Sequence, residues 1–180
     1  QAQMLRTKKT KLVGVILPKI DSNTISGGGA GISDILTKKG YQLILANTNN
    51  NIEEELKYLS LFKDNQVDGV IFIATILTKQ HRDMLKEYKV PIVLLGQRLE
   101  GYPCIFQDDQ KAAMTLTEQM VKTGSKFGYI TVTDKDEAVG RKRMSGVEEI
   151  LSKNKIEFGS EYVKCGDFTL ESGYEKAGEL

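Results

Sequence analysis

Hydroxyl, amide and guanidinium side chains gather at five places, each directly after a short apolar run. They are Pro18-Lys19-Ile20-Asp21-Ser22-Asn23-Thr24-Ile25, Asn47-Thr48-Asn49-Asn50-Asn51, Ala74-Thr75, Gly96-Gln97-Arg98, and Thr133-Asp134-Lys135-Asp136 leading toward Arg141 and Arg143. Such groups suit hydrogen bonding to a ligand with many hydroxyls or to a phosphate. In Asn47–Asn51 the same residue types also serve as ordinary turn and cap residues. No nucleophile-base-acid set emerges. His81 stands between Gln80 and Arg82 in a polar stretch and reads as a solvated surface residue. Asp108-Asp109 could work as an acid and base pair, although Asp109 also falls where a helix N-cap is wanted. Cys104 and Cys165 have no histidine nearby in sequence, and no C-x-x-C or H-x-x-x-H spacing marks a zinc site. Gly27-Gly28-Gly29-Ala30-Gly31 fails the G-x-G-x-x-G template at Ile32, and no Gly-Lys-Ser/Thr follows. Three consecutive glycines are expected to fray the first turn of a helix there or delay its start. Nothing in these residues calls for a cofactor or argues for an enzyme.

The elements that would position these groups alternate regularly. Apolar, β-prone runs lie at Leu12–Leu17, Tyr41–Ala46, Val70–Ile73, Ile92–Leu95 and Phe127–Val132. Ile52, Leu56, Leu59 and Phe62 recur at helical period. A second helix is expected over Thr78–Tyr88, capped by Thr78 and stopped before Val90-Pro91. A third, Asp109–Thr123, carries Ala112, Leu116, Met120 and Val121 and ends at Gly124. Val139–Asn154 repeats the form with Met144, Val147, Ile150 and Leu151. Continuous apolar strands joined by helices imply an α/β fold with parallel sheets flanked by helices on both faces. Ligands of such sheets bind outside the carboxyl ends of the strands, where the five polar clusters fall.

A break near Gly101–Asp109 is the best place for a boundary between two subdomains. The second part holds one firm strand, a weaker one at Glu161–Lys164 and a final helical stretch. That is too little to cover a sheet, so the second subdomain is expected to be incomplete and the chain truncated at Leu180.

At 180 residues, the length suits one domain or one and a fraction. Hydrophobic residues at 40% and charged residues at 27% exclude a disordered chain. With 25 Lys+Arg against 24 Asp+Glu, no global charge draws the protein to nucleic acid, so any such contact must be local. Two cysteines are too few for a disulfide framework and read as reduced cytosolic thiols. No apolar stretch approaches the 18 residues of a membrane span, and the polar, basic Gln1–Lys11 is unlike an export signal.

The order of motifs resembles the effector-binding region of the lactose-repressor (LacI/GalR) family of bacterial transcription regulators. The matching segments are Lys11-Leu-Val-Gly-Val-Ile-Leu-Pro18, Gly40-Tyr-Gln-Leu-Ile-Leu-Ala-Asn47 and Gln66-Val-Asp-Gly-Val-Ile71. They continue with Val90-Pro-Ile-Val-Leu-Leu95, Arg143-Met-Ser-Gly146 and Gly166-Asp-Phe-Thr-Leu-Glu-Ser-Gly-Tyr174. Pro18-Lys-Ile-Asp-Ser-Asn23 and Gly96-Gln97 look like the branch that answers to sucrose, trehalose or related sugars. The resemblance implies a periplasmic-binding-protein-like fold. Residues 1–10 would be the end of a hinge helix and a linker, 11–107 the N-terminal effector-binding subdomain, and 108–180 part of the C-terminal one.

By the same resemblance, Arg143 hydrogen-bonds the effector and Phe168 stacks on it, an aromatic face covering the C–H side of a sugar ring. Thr24 and Ile25 match first-subdomain contacts, with Asp21, Thr75 and Asp108 as further polar partners. Gln97, after Gly96, stands near where many relatives carry an aspartate. Loss of that negative charge would ease binding of a phosphorylated sugar. Ala2 and Leu5 match the hinge helix, whose leucine wedges into the minor groove of operator DNA. The implied protein is a cytoplasmic, homodimeric, sugar-responsive repressor. Its subdomains close on the effector, and its helix-turn-helix would lie upstream of this sequence. A periplasmic sugar-binding protein of a transporter shares the fold and is the alternative.

Overall fold

The computed structural model describes residues 9–180, so the expected DNA contacts Ala2 and Leu5 lie outside the described residues. The chain divides into two compact units, with the boundary between Phe106 and Gln107. The first contains β1 (Leu12–Leu17), α1 (Asn23–Lys38), β2 (Gln42–Asn47), α2 (Ile52–Asp64) and β3 (Gly69–Ile73). It continues with α3 (Lys79–Lys86), β4 (Ile92–Leu95) and β5 (Cys104–Ile105). All five strands pair in parallel, in the order β2-β1-β3-β4-β5. Val15 of β1 lies between Leu45 of β2 and Ile71 of β3. A central strand covered on both faces needs apolar residues at consecutive positions, which is why Leu12–Leu17 reads as an unbroken run. Ile16, Phe72 and Leu94 of the sheet pack with Leu59 and Phe62 of α2 and Leu85 of α3. Gly14 admits this packing, since a Cβ there would lie 2.3 Å from the Phe62 ring.

Local signals hold in this unit. The Asn51 side chain caps α2 by accepting the Glu53 and Glu54 N–H groups, while Asn49 and Asn50 take the left-handed turn conformation. Thr78 caps α3, accepting the His81 N–H. Three expectations change. The helix α1 starts at Asn23 and runs unbroken through Gly27, Gly28 and Gly29. A Cβ at any of the three would meet nothing within 4 Å, so no neighbour explains them. The break after Gly101 contains β5, whose two residues are too few for a periodic signal.

The third change concerns His81, which is not a solvated residue: it is fully buried (0% exposed) against Glu55 of α2 (1%). Its Nε2 lies 3.1 Å from Glu55 Oε2, although neither atom completes a well-aligned hydrogen bond. Its Nδ1 accepts the Thr78 N–H at 3.2 Å, and its ring stacks on Phe72 with centroids 5.6 Å apart. Packing of α3 beside α2 and the sheet removes the imidazole from water, while Gln80 and Arg82 on either side of it are exposed.

The second unit contains α4 (Asp109–Met120), β6 (Tyr129–Thr131), a π-helical turn (Glu137–Lys142), α5 (Arg143–Lys153), β7 (Val163–Cys165) and α6 (Leu170–Gly178). The strands β6 and β7 pair in parallel, Ile130 opposite Lys164. Val147, Ile150 and Leu151 of α5 are buried, as their spacing implies. Gly146 lets α4 approach α5 closely, because a Cβ there would sit 2.4 Å from the Gln110 carbonyl oxygen. In α4 the buried positions are Asp109 and Thr117, while Leu116 and Met120 face a cavity. No helix among the described residues is long and apolar enough to cross a membrane.

Candidate functional site

In the first unit the strand order sets the site. The chain turns from β1 outward to β2, then crosses back to β3. The carboxyl ends of β1 and β3 therefore form the switch point at which open α/β sheets hold ligands. Asp21, Thr24 and Ile25 follow β1, Thr75 follows β3, and Gln97 follows β4, so five of the expected contacts share one rim. Asp21 and Thr24 are exposed and Ile25 and Thr75 half-buried. The loop after β1 is tied to the end of β2, with the Ile20 N–H donating to Asn47 Oδ1 at 3.1 Å and Asn50 N–H to the Pro18 carbonyl at 2.8 Å. The Ser22 side chain makes no cap bond, which leaves first-turn N–H groups of α1 open to a ligand oxygen. Gln97 is 5% exposed. Its amide nitrogen donates to the Thr75 carbonyl at 2.7 Å, holding the ends of β3 and β4 together.

In the second unit Arg143 opens α5 and its Nε donates to Asp109 Oδ1 at 2.7 Å. The Asp109 side chain is 7% exposed and that of Arg143 43%. Asp109 is the first residue of α4, where the helix dipole favours a negative charge. Among the described residues the Arg143 side chain bonds only through Nε, so its two terminal nitrogens keep four N–H donors for a ligand. Asp136 caps the π-helical turn by accepting the Ala138 and Val139 N–H groups, and this turn delivers the chain to Arg143. Tyr129 lines the same cavity of about 460 Å³ as Asp109, Arg143, Thr117 and Phe158. Burial pushes its phenol pKa above the ordinary value of 10.0.

The two neighbouring acids have divided roles that the sequence left open. Asp108, not Asp109, is the N-cap of α4, accepting the Lys111 N–H at 3.1 Å. Asp109 instead holds Arg143, a role that the sequence did not single out. Its signal was an acid beside a cap, but its partner lies 34 residues away. Phe168 follows β7 and is 49% exposed. An interlock around it holds this loop. The Thr169 N–H donates to Asp167 Oδ1 at 2.8 Å, the Asp167 N–H to Ser172 Oγ at 3.0 Å, and the Ser172 N–H to Thr169 Oγ1 at 3.2 Å. Arg141 is engaged elsewhere, pairing with Glu137 at 2.8 Å.

Comparison with known proteins adds to this geometry. The family described as periplasmic binding proteins and sugar binding domain of LacI family matches residues 10–180. The chain is 31% identical over 157 residues to the sucrose operon repressor of Staphylococcus xylosus, covering 87% of this chain and 49% of that protein. It is also 31% identical over 182 residues to catabolite control protein A of Priestia megaterium, covering 99% and 55%. The chain thus spans about half the length of the curated relatives it matches. Among solved structures, transcription regulator CcpA of Lactococcus lactis superposes with a TM-score of 0.86 at 34% identity, over 96% of this chain and 64% of that one. The trehalose repressor from Escherichia coli, at 19% identity and a TM-score of 0.81 over 94% and 65%, shares the fold.

Proposed function

The chain belongs to the family of periplasmic binding proteins and LacI-type sugar-binding domains, and on that premise we propose that it is the effector-binding and dimerisation region of a sugar-responsive repressor. Residues 11–107 and 108–180 would be its two effector-binding subdomains. The observation that carries this reading is Arg143, held by a buried carboxylate at a cavity with its terminal N–H groups free. A guanidinium fixed in this way binds paired hydroxyls or a phosphate without first losing side-chain freedom. The effector is a sugar or sugar phosphate, contacted by Arg143, Phe168 and Asp109 in the second unit. Asp21, Thr24, Ile25 and Thr75 serve in the first, and Gln97 braces that rim.

The protein would act as a cytoplasmic homodimer. Operator DNA would be bound through a helix-turn-helix, with Ala2 and Leu5 belonging to the hinge beside it. The effector shifts regulation only through its different affinity for the two states of the dimer. A transporter's binding protein shares the fold, but the relatives at 31–34% identity are transcription regulators. Calorimetric titration with sucrose, trehalose, their 6-phosphates, maltose, ribose and a purine tests the reading. Saturable binding of one sugar or sugar phosphate, lost in Arg143→Ala, is the expected result. Binding of the purine alone, or no binding at all, removes the sugar assignment.

A further inference from the structure

At the edge of the first unit's sheet opposite the effector rim, the residues before β1 are held by an arrangement that ligand binding does not use. Asp68 Oδ1 accepts the Thr10 N–H at 2.9 Å, and Oδ2 accepts the Lys11 N–H at 3.0 Å. The Thr10 hydroxyl lies 3.2 Å from Asp68 Oδ1 and 3.1 Å from the Gln66 carbonyl, so its proton serves one of them at a time. The Leu12 N–H donates to that hydroxyl at 3.3 Å, and Asp68 donates its own N–H to the Leu12 carbonyl at 2.8 Å. On the other flank, Gln42 N–H donates to the Lys11 carbonyl at 2.8 Å, and the Lys11 ammonium sits 4.5 Å from the centre of the Tyr41 ring. Thr10 and Lys11 are therefore gripped from the lead-ins of both neighbouring strands.

The grip holds the backbone away from its preferred conformations. Lys11 has φ 59°, whereas the φ of 53° at Gln66 belongs to the ordinary left-handed end of α2, where the Gln66 and Val67 N–H groups donate to the Lys63 and Phe62 carbonyls. Side chains other than glycine persist in this left-handed region only where the surroundings over-determine them, and such outliers collect at functional positions. Lys11 itself is exposed and lies outside the hydrophobic core, so core packing does not account for its conformation.

We propose that Asp68 is a positioning residue, fixing the point and direction at which the N-terminal segment leaves the first unit. A DNA-binding element on that segment is thereby held for its operator. This rests on the regulator reading above. The reasoning is entropic. Two DNA-binding elements rooted rigidly in one dimer meet two half-sites at high effective concentration, and a root free to swivel lowers it.

The test uses the full chain with its DNA-binding element, the DNA duplex it selects from a random pool, and Asp68→Asn. An asparagine keeps one acceptor and sets an NH₂ group against the other backbone N–H. Thr10→Ala is the milder second variant, and Ile92→Val, in the core of the same sheet, controls for general destabilisation. In Asp68→Asn the Thr10 and Lys11 amides should exchange with deuterium faster by about tenfold, with a similar loss of duplex affinity. The Val15 and Ile16 amides should keep their protection, Ile92→Val should keep its DNA affinity, and Thr10→Ala should fall between. Unchanged exchange at Thr10 and Lys11 overturns the clamp. Faster exchange with unaltered DNA affinity, or an equal loss in Ile92→Val, overturns the positioning role. A wild-type chain that selects no duplex refutes the regulator reading itself, and the positioning role falls with it.

Discussion

Replacing Arg143 by alanine separates what this residue does for a ligand from what it does for the fold. Breaking a fully buried ion pair costs about 3–5 kcal/mol, and breaking an exposed one at most about 1 kcal/mol. This pair lies between the two, with the Asp109 carboxylate 7% exposed and the guanidinium 43%. The carboxylate left behind also keeps the favourable N-terminus of α4. We therefore expect Arg143→Ala to cost about 2 kcal/mol, lowering Tm by about 4–8 °C. The protein should still fold, since total stability is typically about 5–15 kcal/mol. Two charge-assisted hydrogen bonds to a sugar or phosphate are worth about 3–6 kcal/mol, so affinity should fall by more than about 100-fold. Arg143→Lys should fail nearly as badly, lacking the planar fork. Asp109→Asn keeps an acceptor for Nε but loses the charge that aims the guanidinium. It should cost about 1 kcal/mol in stability and about tenfold in affinity. Calorimetric titration and urea unfolding on the four proteins supply both numbers. An Arg143→Ala affinity within about threefold of wild type would refute the site assignment. An Asp109→Asn variant less stable than Arg143→Ala would refute the energetic ranking.

Three further outcomes follow from particular residues. His81→Ala leaves Glu55 buried without its neighbour, and unfolding free energy should drop by about 3–5 kcal/mol; joint replacement of both by leucine should recover most of that. A near-neutral His81→Ala in urea would contradict the buried pair. Gly28→Ala adds a methyl group in open space within α1 and should stabilise by about 1 kcal/mol, so a loss of stability in urea would show that this stretch is not a free helix. Burial raises the phenol pKa of Tyr88, whose hydroxyl donates to the Leu59 carbonyl, and that of Tyr129. Both phenols are neutral in folded and unfolded chains below about pH 10. Above it the unfolded chain releases their protons first, so stability should decline as pH rises from about 10. Two of the seven tyrosines should ionise late in an absorbance titration, and seven ionising together would refute the burial argument.

Much of the fold was legible from the chain alone, because strands covered on both faces need consecutive apolar residues and helix ends need specific caps. Leu12–Leu17 and Ile92–Leu95 form strands with the bounds their composition implies, and Thr78 and Asn51 cap the helices they precede. Other bounds shift, with β2 running one residue later at both ends as Gln42–Asn47, β3 beginning one residue earlier at Gly69, and the run Phe127–Val132 trimmed to Tyr129–Thr131. These are local properties, recorded in neighbouring residues. The candidate site was legible only in part. Arg143 and the residues after β1 stood out as polar groups following apolar runs, but their individual roles, and Phe168 altogether, came only from the order of motifs.

Tertiary structure alone decided which polar groups meet. Asp108 and Asp109 are adjacent and chemically equal, yet one caps α4 and the other grips Arg143. His81 carries every local mark of a surface residue and is buried because α3 packs against α2 and Phe72. Asp68, met in the sequence only within the Gln66–Ile71 motif, holds two residues 58 and 57 positions away. A buried charge is tolerated only where a partner arrives with the right geometry, and that partner comes from another element whose position is set when the core closes.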